Sequence, residues 1–235
     1  MKYKITIILI ILLAMVSSAC GPNKTEIEAQ VRAELQAEAQ ALAEAQALAE
    51  AQALAEAQAL AEVEAFKIGQ ETFNALVIAS DSVIDILNFI ERAWTWSITE
   101  HSAFRSASSY ISATGLNVSF SDVINVNESL RIPLTFIDAS LEEIIYVTMI
   151  HLNNLGFYDV LNSNYDEANS NVKKLASEHS DFQHLTELKD FYVAMSIVYD
   201  LSKSPEGSLL QLRDTINEFD SDARIFKTKL KLAFD

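Results

Sequence analysis

The sequence predicts an all-α protein, in which an antiparallel helical bundle follows a long helix built from an Ala/Glu/Gln/Leu repeat. Three observations support this fold class. The chain has five glycines and three prolines in 235 residues, which disfavours a turn-rich β architecture. Residues 39–62 are four tandem copies of AQALAE, whose residues are all strong helix formers. Beyond the repeat, apolar residues recur three and four apart, as on the buried face of a helix.

Residues 1–19 predict a secretory signal peptide that ends at a lipidation site. Two early lysines precede an uncharged, mostly apolar run at residues 5–16, which is too short to span a bilayer but typical of a signal-peptide core. Small residues then lead to Cys20, the single cysteine of the chain. This ending resembles the lipobox of bacterial lipoproteins, although Ser17 stands where that motif usually has an aliphatic residue. The resemblance implies that Cys20 is acylated, as by palmitate, and holds the chain to the lipid bilayer through residues 20–23. A buried thiol and an intermolecular disulfide are the alternatives.

The charge balance restricts the possible partners. The chain has a net charge of −16, and loss of residues 1–19 would remove two lysines and no acidic residue. So acidic a protein repels nucleic acid and anionic lipid headgroups, and we expect neither as a ligand. Solubility at a crowded surface is one explanation of this charge, and attraction to a basic patch on a partner is the other. A single cysteine provides no disulfide framework, so packing alone must stabilise the fold.

Residues 24–65 are predicted to form a helical stalk. Alanine occupies every second position of the repeat, as in a strand, but Ala and Glu are poor strand residues and the segment is far longer than a strand. Successive leucines of the repeat are six residues apart, so each is rotated by about 240° from the last. They therefore follow three faces of the helix and lack the seam of a coiled coil. We expect a solvated, semi-rigid spacer of roughly 60 Å. Weak self-association through alanine is the alternative.

Residues 66–235 are predicted to form the bundle, with four to six helices. Apolar residues from Phe66 onward follow a seven-residue period, which predicts an amphipathic helix that runs to about Ala113 and stops at Gly115. A shorter, polar helix is expected over residues 165–178. Further helix starts are predicted from capping residues: Ser140 with Glu143, Ser180 with Gln183, and Ser204 before Pro205.

Two connections between these helices are candidates for binding a partner protein. Residues 115–136 hold two stretches of alternating apolar residues and Pro133, which excludes a helix interior there; we expect extended pieces or one short helix near Asp122. Residues 153–171 form an asparagine-rich connection. Long connections often carry function, although packing of their apolar residues against the bundle is the alternative. The candidate partner-binding residues are Asn117, Ser119, Asn125, Asn127, Arg131, Tyr158 and Tyr165.

The sequence lacks the residue patterns that catalysis or metal binding usually requires. His179 and His184 are five residues apart, which would place them on different sides of a helix. The motifs HExxH, GxSxG, the P-loop and GxGxxG are absent, and one cysteine cannot form a thiolate cluster for zinc. We therefore expect no enzymatic activity, no metal, no cofactor and no small-molecule substrate. Trp94 fits the buried stripe of the first amphipathic helix, whereas Trp96 is expected either at an interface or at the surface.

These parts together resemble spirochaete outer-surface lipoproteins: a lipobox-like start, an acidic chain, an extended stalk and a helical domain rich in Ile, Asn, Ser and Lys. Some proteins of that group are small helical domains that bind the complement regulator factor H or other host proteins. The resemblance implies anchoring in a bacterial outer membrane, exposure on the cell surface and contact with a host protein, and it transfers no binding residue. A periplasmic spacer that docks on another envelope component is one alternative. Self-assembly through the alanine-rich helix is another.

Overall fold

The computed structural model describes residues 24–100, 106–132, 136 and 138–234. Within these ranges the chain forms seven helices and no strand, which confirms the predicted all-α class. The predicted lipidation site at Cys20 lies outside the described residues. The helices are α1 (Lys24–Thr99), α2 (Ala107–Thr114), α3 (Phe120–Leu130), α4 (Leu141–Asn154), α5 (Phe157–Glu178), α6 (Leu185–Lys203) and α7 (Leu209–Phe234). The chain divides into two units, residues 1–60 and 61–235, and α1 continues from the first into the second.

The described part of the first unit is a single helical segment whose side chains face solvent. From residue 27 to residue 60, all side chains are exposed apart from that of Val31, which is half-buried. The leucines of the repeat are between 58% and 72% exposed. Eighteen residues of α-helix make about five turns, so three copies of the repeat return leucine to the face where it began. No face of this segment therefore collects an apolar stripe.

The second unit has its core along the C-terminal part of α1. Six apolar core positions of α1 are fully buried: Leu76, Ala79, Val83, Ile86, Leu87 and Ile90. Contacts between α1 and α7 show that these two helices are antiparallel, because positions rise along one as they fall along the other: Phe73 with Phe234, Asp81 with Lys227, and Glu91 with Arg213. Contacts of Tyr158 with Ser202 and of Tyr165 with Ser196 show the same relation between α5 and α6. The predicted antiparallel bundle is confirmed.

Some predicted helix boundaries are confirmed. Ser140 and Glu143 form the expected reciprocal capping box at the start of α4. Gly115 ends α2 in the left-handed conformation, with φ of 69°. The short helix expected near Asp122 is α3, and no extended strand accompanies it in the described residues.

The predicted first amphipathic helix was too long. It ends at Thr99, and a second helix, α2, begins after Ser106, whose side chain and that of Ser109 cap each other's backbone N–H groups. A serine pair three residues apart is a weak capping signal. The prediction therefore followed the seven-residue period and extended the first helix past this pair. Over its described residues the bundle accordingly contains seven helical segments, one more than the upper limit expected.

The starts predicted at Ser180 and Ser204 were wrong. Residues 179–184 form turns in which the backbone N–H of Phe182 donates to the carbonyl of His179, and α6 begins only at Leu185. Ser204 ends α6, and its N–H donates to the carbonyl of Asp200. The actual start of α7 is a capping box in which the backbone N–H of Ser208 donates to the side chain of Gln211 and the N–H of Gln211 donates to the Ser208 hydroxyl.

The connection expected over residues 153–171 was also wrong. Only Leu155 and Gly156 separate α4 from α5, and α5 covers the rest of that range. The helix predicted over residues 165–178 therefore begins earlier, at Phe157. Gly156 makes this tight connection possible because it adopts a φ of 80°, which L-residues with side chains rarely accept.

Trp96 is buried, so the alternative of exposure is excluded. Its ring contacts Tyr110 of α2 and Phe136, with ring centroids 5.6 Å and 5.7 Å apart. Tyr110 and Phe136 are stacked at 5.2 Å. This aromatic cluster fixes the short helix α2 against the end of α1.

Helix α1 also contains a stretch that is long and apolar enough to cross a membrane, with a mean hydropathy of 1.5 over 18 residues. In that window, 44% of the residues are buried within the protein. A core helix of a soluble domain passes the same test of length and composition. The composition of α1 is thus compatible with membrane association, and the burial shows that its apolar face is used in the bundle.

Candidate binding site

Residues 117–126, part of the segment that the sequence singles out, form one wall of a surface cleft between α3 and α4. The N-terminus of α3 is held by a reciprocal capping box. The backbone N–H of Ser119 donates to Oδ2 of Asp122 at 2.9 Å, and the N–H of Asp122 donates to the Ser119 hydroxyl at 3.1 Å. The hydroxyl of Ser119 donates in turn to the same Oδ2 at 2.6 Å. These bonds fix the orientation of Asp122, which lines the cleft, and within the described part of the chain they use only its Oδ2.

The hydrogen bonds also control the charge of Asp122. The pKa of its carboxyl lies below the usual value because two hydrogen bonds stabilise the ionised form. The Ser119 hydroxyl has the larger effect, and the Ser119 backbone N–H has the smaller one. Asp122 is exposed. It is therefore an accessible carboxylate at neutral pH, with a fixed orientation.

The cleft has a volume of about 320 Å³ and mixes polar and apolar groups. Three asparagine side chains supply amide donors and acceptors, and Val118, Val126 and Leu155 supply apolar surface. The full lining is Asn117, Val118, Asp122, Asn125, Val126, His151, Asn154 and Leu155. Pockets for small molecules start near this size, so the cleft is suited to one side chain or an equally small ligand.

His151 of α4 is the buried member of this lining. It is 1% exposed, and its Nε2 has no hydrogen-bond partner among the described residues. Burial lowers the pKa of His151, and the nearby charge of Asp122 raises it by a smaller amount. The imidazole is therefore neutral at pH 7. A buried polar atom without a partner costs roughly 1–3 kcal/mol, and a ligand that reached this nitrogen would recover part of that free energy.

The structure brings together only some of the residues predicted to bind a partner. Asn117 and Asn125 line the cleft, and Ser119 positions Asp122 beside them. Arg131 is exposed at the opposite end of α3, in the left-handed conformation. Asn127 is fully buried, so the prediction that it contacts a partner was wrong. The reason is that α3 turns it towards the core together with Val123, one helical turn earlier.

The two tyrosines serve the packing of α5 on α6. Tyr158 is buried and its hydroxyl donates to the carbonyl of Ser202 at 2.8 Å. Tyr165 is half-buried and stacks on Tyr199 with ring centroids 3.9 Å apart, and its hydroxyl donates to that of Ser196 at 3.0 Å. Both tyrosines therefore pack at the edge of the core, which was the alternative to their binding a partner.

Three polar residues of the cleft were not among the predicted binding residues: Asp122, His151 and Asn154. A signal existed for two of them. Asp122 stands three residues after Ser119, which is the spacing of a capping box. His151 lies three and seven residues after the buried Thr148 and Ile144 on α4, so helical spacing places it on the buried face. No local pattern could show that α3 and α4 face each other.

Two other surface depressions lie beside α1, with volumes of about 330 Å³ and 300 Å³. Several of their charged groups already interact within the protein. Glu91 forms an ion pair with Arg213, and the guanidinium of Arg92 lies 4.5 Å from the centre of the Phe89 ring. The cleft between α3 and α4 is the better candidate because it offers an accessible carboxylate and an unpaired buried nitrogen.

Comparison of the chain with protein-family models, with curated proteins and with solved structures found no match.

Proposed function

We propose that this protein is a membrane-anchored surface lipoprotein that presents a helical binding domain, and that its cleft between α3 and α4 receives a basic side chain of a partner protein. One observation carries the binding proposal: Asp122, an oriented carboxylate, lines the same cleft as three asparagines and the buried His151, whose Nε2 has no hydrogen-bond partner among the described residues. We propose a host protein, such as a complement regulator, as the partner.

The chemistry of the cleft favours an arginine or lysine side chain. Asp122 supplies the opposite charge, and the amide oxygens of Asn117 and Asn125 can accept further N–H groups. The apolar side chains of Val118, Val126 and Leu155 can cover the aliphatic part of such a side chain. The net charge of −16 would attract a basic partner over longer distances and speed its association.

A pull-down from serum tests the binding proposal. The chain from residue 20 onward, with Cys20→Ala, is immobilised beside the variants Asp122→Asn and Glu128→Gln. Glu128 is exposed on α3 but does not line the cleft, so it is a matched control for loss of one negative charge. We expect a serum protein that is retained by the parent chain and by Glu128→Gln and bound at least about tenfold more weakly by Asp122→Asn, as for a buried or oriented charge pair.

Two results would contradict the proposal. One is the absence of any retained serum protein when circular dichroism shows the helical fold. The other is equal capture by Asp122→Asn and the parent chain. An asparagine can still accept the Ser119 N–H bond, so this variant should keep the cap of α3.

The anchoring proposal rests on the sequence at Cys20 and on the properties of the segment that follows. Residues 27–60 are helical and solvent-exposed, and at 1.5 Å per residue such a segment is roughly 50 Å long. A spacer of this kind needs helix propensity and solubility but no packing partner, and the repeat has both properties.

Labelling with radioactive palmitate and protease treatment of intact cells test the anchor and its exposure. We expect palmitate in the parent protein and none in Cys20→Ala. Surface exposure predicts that protease cleaves the protein on intact cells. Protection on intact cells, with cleavage after the outer membrane is opened, would favour a periplasmic spacer that docks on another envelope component.

A further inference from the structure

Three side chains with metal-binding atoms meet where the packed part of α1 lies beside the end of α5. They are Glu64 of α1, Glu178 at the last position of α5, and His179 immediately after it. One ligand atom of each lies within 4.8 Å of those of the other two. All three belong to the unit of residues 61–235. An imidazole nitrogen with two carboxylates is a donor set that suits Zn²⁺ and similar first-row ions.

His179 provides an independent sign of a ligand at this place. It is 9% exposed, and its Nε2 is buried without a hydrogen-bond partner in the described residues. Its backbone is fixed on both sides, because its N–H donates to the carbonyl of Leu175 at 2.9 Å and its carbonyl accepts from Phe182 at 3.0 Å. The backbone that carries the imidazole is thus fixed. The two glutamates are exposed and can move the short distance that coordination requires.

The end of α5 favours a cation for a second reason. The carboxyl end of a helix carries a partial negative charge, which basic residues in the last turn usually offset. The last turn of α5 has no basic residue and ends instead on Glu178. Negative charge from the helix, from Glu178 and from Glu64 therefore converges at one point.

Lys174 is the residue that a metal ion would have to displace. Its Nζ lies 2.9 Å from Oε1 of Glu64 and 4.0 Å from Oε2 of Glu178. The hydrogen bond from Lys174 is the main reason that the pKa of Glu64 is lowered, and the same bond raises the pKa of Lys174. All three side chains are substantially exposed, so these ion pairs contribute little to stability. A single ammonium can be exchanged for a divalent ion that also engages the imidazole.

We infer that Glu64, Glu178 and His179 form a binding site for a divalent transition-metal ion, with Zn²⁺ as the representative ion, and that Lys174 closes the site when the metal is absent. This inference does not depend on the proposed function, since none of these residues lines the cleft. A bound ion would tie α1 to α5 two residues beyond Glu62, the last residue of the repeat, and would set where the packed part of α1 begins.

Titration with Zn²⁺, followed by calorimetry, tests the inference on the chain from residue 20 onward with Cys20→Ala. We expect one Zn²⁺ per chain. His179→Ala should weaken binding at least about tenfold, because even residues that only support a metal ligand cost that much. Lys174→Met should strengthen binding severalfold, because it removes the competing ammonium. Glu62→Gln, an exposed carboxylate outside the group, is the matched control and should bind as the parent does.

The response to His179→Ala distinguishes a metal site from an ordinary cluster of carboxylates, because only the metal site uses the imidazole. Unchanged affinity in Lys174→Met would show that the ammonium does not compete with Zn²⁺, and this result would overturn the inference that Lys174 closes the site. Affinity unchanged by His179→Ala would overturn the inference of a metal site. If His179→Ala failed to fold, Glu178→Gln replaces it, because Glu178 is exposed and its substitution leaves the core intact.

Discussion

The two parts of helix α1 are stabilised in different ways, although they form one continuous helix. Residues 27–60 include most of the six-residue repeat and are exposed on every side, whereas residues 65–97 follow a seven-residue apolar period and bury one face completely. The repeat consists of residues with high helix propensity. The second part contains Val, Ile, Thr, Ser and Trp, which favour helix less. The first part is helical because of its local sequence, and the second because tertiary packing stabilises it.

Polar side chains also have different surroundings in the two parts of α1. In the repeat, Gln and Glu face water and need no partner. In the second part, the buried hydroxyls of Thr72, Ser80 and Ser97 donate to carbonyls of the same helix, at Ile68, Val77 and Trp94. These local bonds use the donor of each hydroxyl within its own helix. Small polar residues can therefore sit in the core face of α1, which explains how Ser80 interrupts the apolar period without breaking it.

The largest effect should come from leucine truncation in the two parts. Leu76→Ala removes a fully buried side chain and should lower the free energy of unfolding by about 2–5 kcal/mol, because it leaves a cavity. Leu54→Ala, the matched change at an exposed position of the repeat, should change it by less than about 0.5 kcal/mol. Urea unfolding measures both. A large effect of Leu54→Ala would show that the repeat is packed in solution.

Exchange of glycine and alanine should affect the stability of the bundle in one part of α1 and only the helicity in the other. A Cβ on Gly69 would lie 2.6 Å from Cζ of Phe182 and 3.1 Å from Phe234, so Gly69→Ala should destabilise the bundle by about 1–3 kcal/mol through overpacking. This occurs although alanine is the better helix former by about 1 kcal/mol. In the repeat, Ala57→Gly should reduce helicity and leave the urea midpoint of the bundle unchanged. A stabilising Gly69→Ala would mean that Phe182 moves aside.

Acid should destabilise the bundle but not the repeat. Burial lowers the pKa of His151 below 6.5, so the unfolded chain binds a proton that the folded chain does not. The stability linked to His151 is therefore complete above about pH 7 and is lost as pH falls through 6.5 towards the lowered pKa. Unfolding in urea between pH 7.5 and 5 measures this loss. His151→Gln should flatten the dependence, whereas His184→Gln should retain it; an equal slope in His151→Gln would contradict the assignment.

The smallest effect should come from deletion of one repeat unit. Removal of residues 51–56 shortens the exposed segment by about 9 Å and should leave the thermal midpoint of the bundle unchanged. Removal of residues 77–82, six residues from the other part of α1, should unfold the bundle, because it rotates the following core face by about 240°. Loss of stability on deletion of residues 51–56 would show that the repeat supports the bundle.

The sequence predicted the elements best where the signal is local. The Ser140 capping box, the stop at Gly115 and the amphipathic stripe of α1 are read from residues within one or two helical turns of each other. The errors at Ser180 and Ser204 arose because a cap-like triplet also occurs inside turns and at helix ends, and packing decides among them. Phe182 illustrates this: within the turns of residues 179–184 its ring packs near Phe234, a residue far away in the sequence.

By itself, then, the amino-acid order of this chain determined that it is helical, that its repeat has no preferred face, and that the repeat ends where an apolar stripe begins. Helix propensity and periodicity act over a few residues, so they can be read without a structure. Only the tertiary structure decided which polar side chains meet: Asp122 with His151 across α3 and α4, and Glu64 with His179 across α1 and α5. Such pairs are far apart along the chain, and only the packing of helices against one another brings them together.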